Sequence, residues 1–181
     1  VRSAATPIRQ RGIHGTGLRE VVAHSGGPRG SLGRFFPGGK TQLVTEAIDV
    51  ALVDLFGDLE RTPSEAETFP EAISVIVTPW RRLLVDHDFA LGCPLAATIC
   101  DAADNDSLRT HVSETLTWWQ APVADAYTRF GAPRAEAEAH AMVLLAALEG
   151  ALMLARAQRN IEPLDTVERF FASRAPDPRR A

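Results

Sequence analysis

Cysteine is nearly missing from this 181-residue chain: Cys93 and Cys100 are the only two. They cannot build a disulfide framework, and their spacing is not that of a C-x-x-C metal or redox motif. Lysine is scarcer still, with Lys40 alone against abundant arginine. No H-E-x-x-H pair, G-x-S-x-G elbow or full Walker loop occurs; Gly38-Gly39-Lys40 lacks both the spacing and a preceding strand. Glu136 and His140, Asp101 and Asn105, and the run Asp86-His87-Asp88 are read as surface pairing and helix caps. Neither a metal, a cofactor nor a catalytic residue is therefore expected. The longest apolar run, 141–157, contains Glu149 and Gly150 and falls short of the ~20 residues a bilayer span needs. Without a signal peptide or lipidation motif, the expectation is a cytoplasmic chain with no membrane role. Val1 stands where a methionine would open a chain, so the first helix is expected to begin mid-element.

Period-two alternation and internal repeats are also absent, while hydrophobic residues make up 45%. Helical punctuation fills the sequence instead, which predicts an all-α fold. A long helix is expected over 40–59, then a polar loop over 61–67. Thr68-Phe-Pro-Glu71 has the form of a capping box opening a helix to about Asp88, with Pro79 inside it. A short helix over 95–103, one from Asn105 or Asp106 to Phe130 containing Pro122, one from Pro133 to about Gln158, and a last one opened by Pro163 complete the series. The expected division is a head, 1–45, and a larger helical body, 46–181.

The head carries the strongest signal. Residues 16–40, TGLREVVAHSGGPRGSLGRFFPGGK, read as two short helices joined by a Gly-containing turn. Thr16 is placed as the N-cap of the first, Leu18, Val21 and Val22 as its apolar stripe, and Gly26-Gly27 as its stop. Leu32 and Phe36 anchor the second helix, leaving Arg29, Gly30, Ser31 and Arg34 to face outward. Residues 1–40 hold Arg2, Arg9, Arg11, Arg19, Arg29, Arg34 and Lys40 against Glu20 alone, a balance of +6 in a chain of net charge −4. A basic head on a body of −10 is the pattern of a helix-turn-helix that neutralises DNA phosphates.

These residues resemble the TetR-like bacterial transcriptional regulators. RQRG, TGLREVVA, GGPRGSLGRFF and PGGK match that family's successive N-terminal motifs, and FPGGK, GCPLAATICDAAD and LLAALEGALMLARA are similar to its LmrA/YxaF-type branch. Gly17 stands where a hydroxyl residue is usual, Gly27 where a small apolar one is, and Gly33 where a tyrosine commonly meets the DNA backbone. The resemblance implies a ligand-responsive repressor acting as a homodimer on double-stranded operator DNA. Thr16, Arg19, Arg29, Gly30, Ser31, Arg34, Phe35 and Lys40 are its expected DNA contacts. It further implies a small-molecule effector in the body. Trp80, Leu84, His87, Phe89, Cys93, Thr115, Trp118, Trp119 and Met142 are the candidates to meet an apolar or aromatic one. Pairing of the last two helices with their copies places Leu145, Leu148, Leu152, Leu164, Val167 and Phe171 at the dimer seam. The rival reading is an all-α small-molecule-binding protein or enzyme whose degenerate head has lost DNA.

Overall fold

In the computed structural model residues 1–26, 31–57, 62–102 and 104–176 are described, without the side chains of Leu18, Glu20, His24 and Ser31. Among them the secondary structure is helical throughout: α1 (Arg2–Arg11), α2 (Leu18–Ser25), α3 (Ser31–Phe35), α4 (Gly39–Phe56), a 3-10 turn (Pro63–Glu65), α5 (Phe69–Asp86), α6 (Pro94–Ile99), α7 (Asp106–Arg129), α8 (Arg134–Gln158) and α9 (Glu162–Ala172). Two compact units form, one from residues 1–57 and 91–114, the other from 58–90 and 115–181. This grouping differs from a break at residue 45: the whole of α4 stays with the N-terminal helices, and α6 and the start of α7 join them.

Local chemistry sets several helix ends. The Thr68 hydroxyl accepts from the Glu71 amide at 3.3 Å, and Asn105 Oδ1 accepts from the Leu108 amide at 3.1 Å, each satisfying an amide that the first turn leaves open. Glu71 departs from the expected box, because its carboxylate accepts from the Glu67 amide at 2.8 Å. The full box lies in the segment expected to be a loop, where Thr62 and Glu65 cap the 3-10 turn reciprocally. Gly12 follows α1 at φ 75° and Gly26 follows α2 at φ 67°, a left-handed region that costs a side-chain-bearing residue.

In the first unit, Ala4, Ala5 and Ile8 of α1 and Leu43, Val44, Ala47, Ile48 and Ala51 of α4 are buried, and α1 packs on α4, α2 and α6. In the second, α9 packs on α5 and α8. Ile73, Val77, Trp80 and Leu84 of α5, Leu144, Leu148 and Leu152 of α8, and Leu164 of α9 are the buried centre. Arg81 of α5 fastens α9 through Asp165 at 2.8 Å and through Glu168.

This packing corrects the expected dimer seam. Leu145, Leu148, Leu152, Leu164 and Phe171 are buried within the single chain, so these five side chains already have partners; Val167 is half-buried and keeps an open side. The opposite face of α8 is the open one, exposing Met142, Val143, Met153 and Leu154, with Phe170 exposed on α9. By length and composition α8 could cross a bilayer, but its buried leucines belong to the folded unit.

Candidate nucleic-acid interface

α2 and α3 form the helix-turn-helix. Val21 and Val22 are buried, while Leu32 and Phe36 are half-buried and bonded in sequence, the Phe36 amide donating to the Leu32 carbonyl at 2.7 Å. These anchors leave Arg34 and Phe35 exposed on α3, with the Arg34 guanidinium 6.0 Å from the Phe35 ring centre. Arg19 is exposed on α2, and Ser31 opens α3. Arg29 and Gly30, with Gly27 and Pro28, lie outside the described residues.

Two readings of the head need correction, and Lys40 gains a structural partner. Thr16 does not cap α2: Gly17 occupies the N-cap, and the Thr16 hydroxyl donates instead to the Gly12 carbonyl at 2.8 Å. Its side chain is buried, which takes it off any DNA-facing surface. Arg9, counted in the basic head, is buried too and donates through Nε to the Gly92 carbonyl at 3.1 Å; burial pushes its pKa down. Lys40 is half-buried, with Nζ donating to the Ile13 carbonyl at 2.7 Å. Two of its N–H donors remain for another acceptor.

A polar clasp holds the turn after α1. Asp101 accepts from the His14 amide at 2.9 Å and pairs with His14 Nδ1 at 3.1 Å. Gly12 beside it sits at φ 75°, where a side chain is strained, and a Cβ there would lie 2.5 Å from the Asp101 carboxylate and displace it. Asn105 Nδ2 donates to the Thr41 hydroxyl at 3.0 Å, and His111 meets Asp49 at 2.9 Å. Asp101 and Asn105, read from sequence as four-apart caps, thus tie this turn and α4 to the 101–111 segment. Nothing local marks such partners, which lie 87 and 64 residues away.

The amide hydrogen bond from His14 is the largest influence holding Asp101 below its ordinary pKa of 3.8. A carboxylate with a depressed folded pKa contributes stability that is present above the unfolded value and lost as pH falls through the folded one. Asp101→Asn is therefore expected to melt below the native protein at neutral pH, with the gap closing as pH drops below 3.8. Thermal melts of both proteins across that range check it; a gap that persists unchanged in acid would mean the charge plays no part.

The described residues contain no group of three or more His, Cys, Asp or Glu placed to hold a metal ion. His140, paired with Glu136 in the sequence reading, stacks on the Tyr127 ring at 5.1 Å, and Tyr127 itself is pushed up to about 12 by burial.

Comparison with known proteins fits this geometry. Residues 70–170 match the family described as transcriptional regulator LmrA/YxaF-like, C-terminal domain. An uncharacterized HTH-type transcriptional regulator of Mycobacterium tuberculosis is 36% identical over 175 residues, covering 93% of this chain and 88% of that protein. The chain belongs to the LmrA/YxaF-like TetR-type transcriptional regulators. The HTH-type transcriptional regulator LmrA of Bacillus subtilis is 28% identical, over 91% of this chain and 88% of its own. A regulatory protein TetR from Rhodobacter sphaeroides has the same fold, with a TM-score of 0.78 at 19% identity over 95% and 94% of the two chains.

Within this regulator's second unit, the residues expected around an effector separate by burial. Trp80 and Leu84 are wholly buried, and the Trp80 ring meets Trp119 edge to face at 5.7 Å between centres. Thr115, Phe89 and Trp119 are half-buried. His87, Trp118 and Met142 are exposed instead and do not join that group, while Cys93 is buried in the first unit. Adjacent residues on a helix point about 100° apart, which is why Trp118 and Trp119 part company.

Proposed function

We propose that this regulator binds double-stranded operator DNA as a homodimer, represses, and lets go when a small apolar or aromatic effector enters its helical body. The observation that carries the reading is the head: a helix-turn-helix whose second helix leaves Arg34 and Phe35 open, preceded by exposed Arg19, in a strongly basic stretch. Such a protein works in the cytoplasm, where its DNA is. One helix-turn-helix covers one half-site, so a two-fold pair is needed for a palindromic operator. The outer face of α8 suits that pairing, because Met142, Val143, Met153 and Leu154 expose apolar surface and Gly150 leaves space where a Cβ would stand.

A mobility-shift titration against the DNA upstream of its own operon tests the core of this reading. Retarded DNA whose affinity falls steeply with added salt is expected; no retardation at low salt would end it. Effector control is read by tryptophan fluorescence. Apolar aromatic compounds should shift or quench emission and release DNA over one concentration range, with a coupling of about 1–3 kcal/mol. Trp119→Ala should lose the optical response, whereas Trp118→Ala, at an exposed position, should keep it. Equal responses from both variants would move the pocket away from the Trp80–Trp119 pair.

A further inference from the structure

The first compact unit contains a cavity of about 330 Å³, at the small end of the roughly 300–1,000 Å³ of ligand sites. Its apolar lining is Ile13, Val44 and Leu108, all buried. Three of its polar groups are already engaged: Lys40 on the Ile13 carbonyl, Asp101 on His14, and Asn105 on Thr41 and the Leu108 amide. Asp104 differs. Its exposed carboxylate lines the cavity and has no hydrogen bond or ion pair among the described residues. Cys100, a free and exposed thiol, borders the same space.

We propose that this cavity binds a small organic amine, with its apolar body on Ile13, Val44 and Leu108 and its ammonium on Asp104. The charge balance selects the ligand's sign. Asp101 is already held by His14 and Lys40 rests on a neutral carbonyl, which leaves the open Asp104 carboxylate to repel an anion and attract a cation. A neutral alcohol of the same shape can donate one hydrogen bond to the Asp104 carboxylate but leaves its charge unpaired, whereas an ammonium supplies both the donor and the opposite charge. The apolar floor favours an aryl or alkyl amine over a bare ammonium ion. The proposal concerns a site other than the Trp80–Trp119 region and does not depend on DNA binding.

Cys100 makes the test local, because the other cysteine, Cys93, is buried. The rate at which a maleimide modifies the native chain is followed with phenethylamine, with neutral 2-phenylethanol and with anionic 3-phenylpropionate. Phenethylamine should slow the reaction saturably, 2-phenylethanol should need about tenfold more, and 3-phenylpropionate should not protect. Asp104→Asn should raise the half-protecting phenethylamine concentration about tenfold while shifting that of 2-phenylethanol much less, because only the amine loses an ion pair. Equal protection by all three compounds, an unaltered phenethylamine response in Asp104→Asn, or no protection up to about 10 mM would each overturn the assignment.

Discussion

Leu148→Arg is expected to unfold the helical body, whereas Met153→Arg is expected to leave it folded and separate the dimer. The two residues lie on one helix, α8, but on different sides of it. Leu148 is fully buried, while Met153 is 70% exposed. Truncating a buried leucine to alanine alone costs about 2–5 kcal/mol, from a total stability of about 5–15 kcal/mol. An arginine there adds a buried charge without a partner, on top of steric overpacking. At position 153 the guanidinium is free in the separate subunit and becomes buried only on pairing, where two-fold symmetry brings two such charges into one seam. Circular dichroism melts and sedimentation velocity distinguish the cases. Met153→Arg should melt as a folded protein at the mass of one chain, and the native protein should sediment at twice that mass. A native monomer at micromolar concentration, or a Met153→Arg protein that stays dimeric, would take the outer face of α8 out of the seam.

The same helix shows where sequence reasoning stops. The positions of α5, α7, α8 and α9 were legible because Thr68, Asn105, Pro133 and Pro163 act on the backbone within one turn of themselves. Which side of α8 faces inward was not legible. Leucines 144, 148 and 152 make one apolar stripe, and Met142, Val143, Met153 and Leu154 make another, so the helix is hydrophobic nearly all round and its periodicity names no interior. Placing leucines at the seam favoured the more hydrophobic stripe, which the chain uses for its own core. In the head, a hydroxyl before an apolar stripe pointed to Thr16 as a cap, but the helix begins one residue later and the hydroxyl turns back to Gly12. Asp101 and Asn105 gave the right kinds of residue and no hint of their partners, since contacts spanning most of the first unit leave no trace in local spacing.

Removing either of two basic side chains from the head should weaken DNA binding in distinguishable ways. Arg34 is exposed on α3 and holds no ion pair among the described residues, so Arg34→Ala removes a group available to a groove at little cost to the fold. If Arg34 reads a guanine edge, operator affinity should fall by about 1–3 kcal/mol and affinity for random DNA by less. Equal losses on both DNAs would make Arg34 a phosphate contact and remove base reading from this position. Lys40 needs a sharper test because it has two possible duties. One N–H of its ammonium is committed to the Ile13 carbonyl, which ties the start of α4 to the turn after α1, while the others could meet a phosphate. Lys40→Ala should weaken operator and random DNA alike. If Lys40 neutralises a phosphate, the slope of log affinity against log salt should fall by about one. If it serves only the Ile13 carbonyl, the melting temperature should fall while the salt slope stays unchanged, because no counterion release is lost. Measuring melting and salt dependence on the same variant therefore separates a phosphate grip from a structural tie, and an unchanged slope would remove Lys40 from the DNA interface.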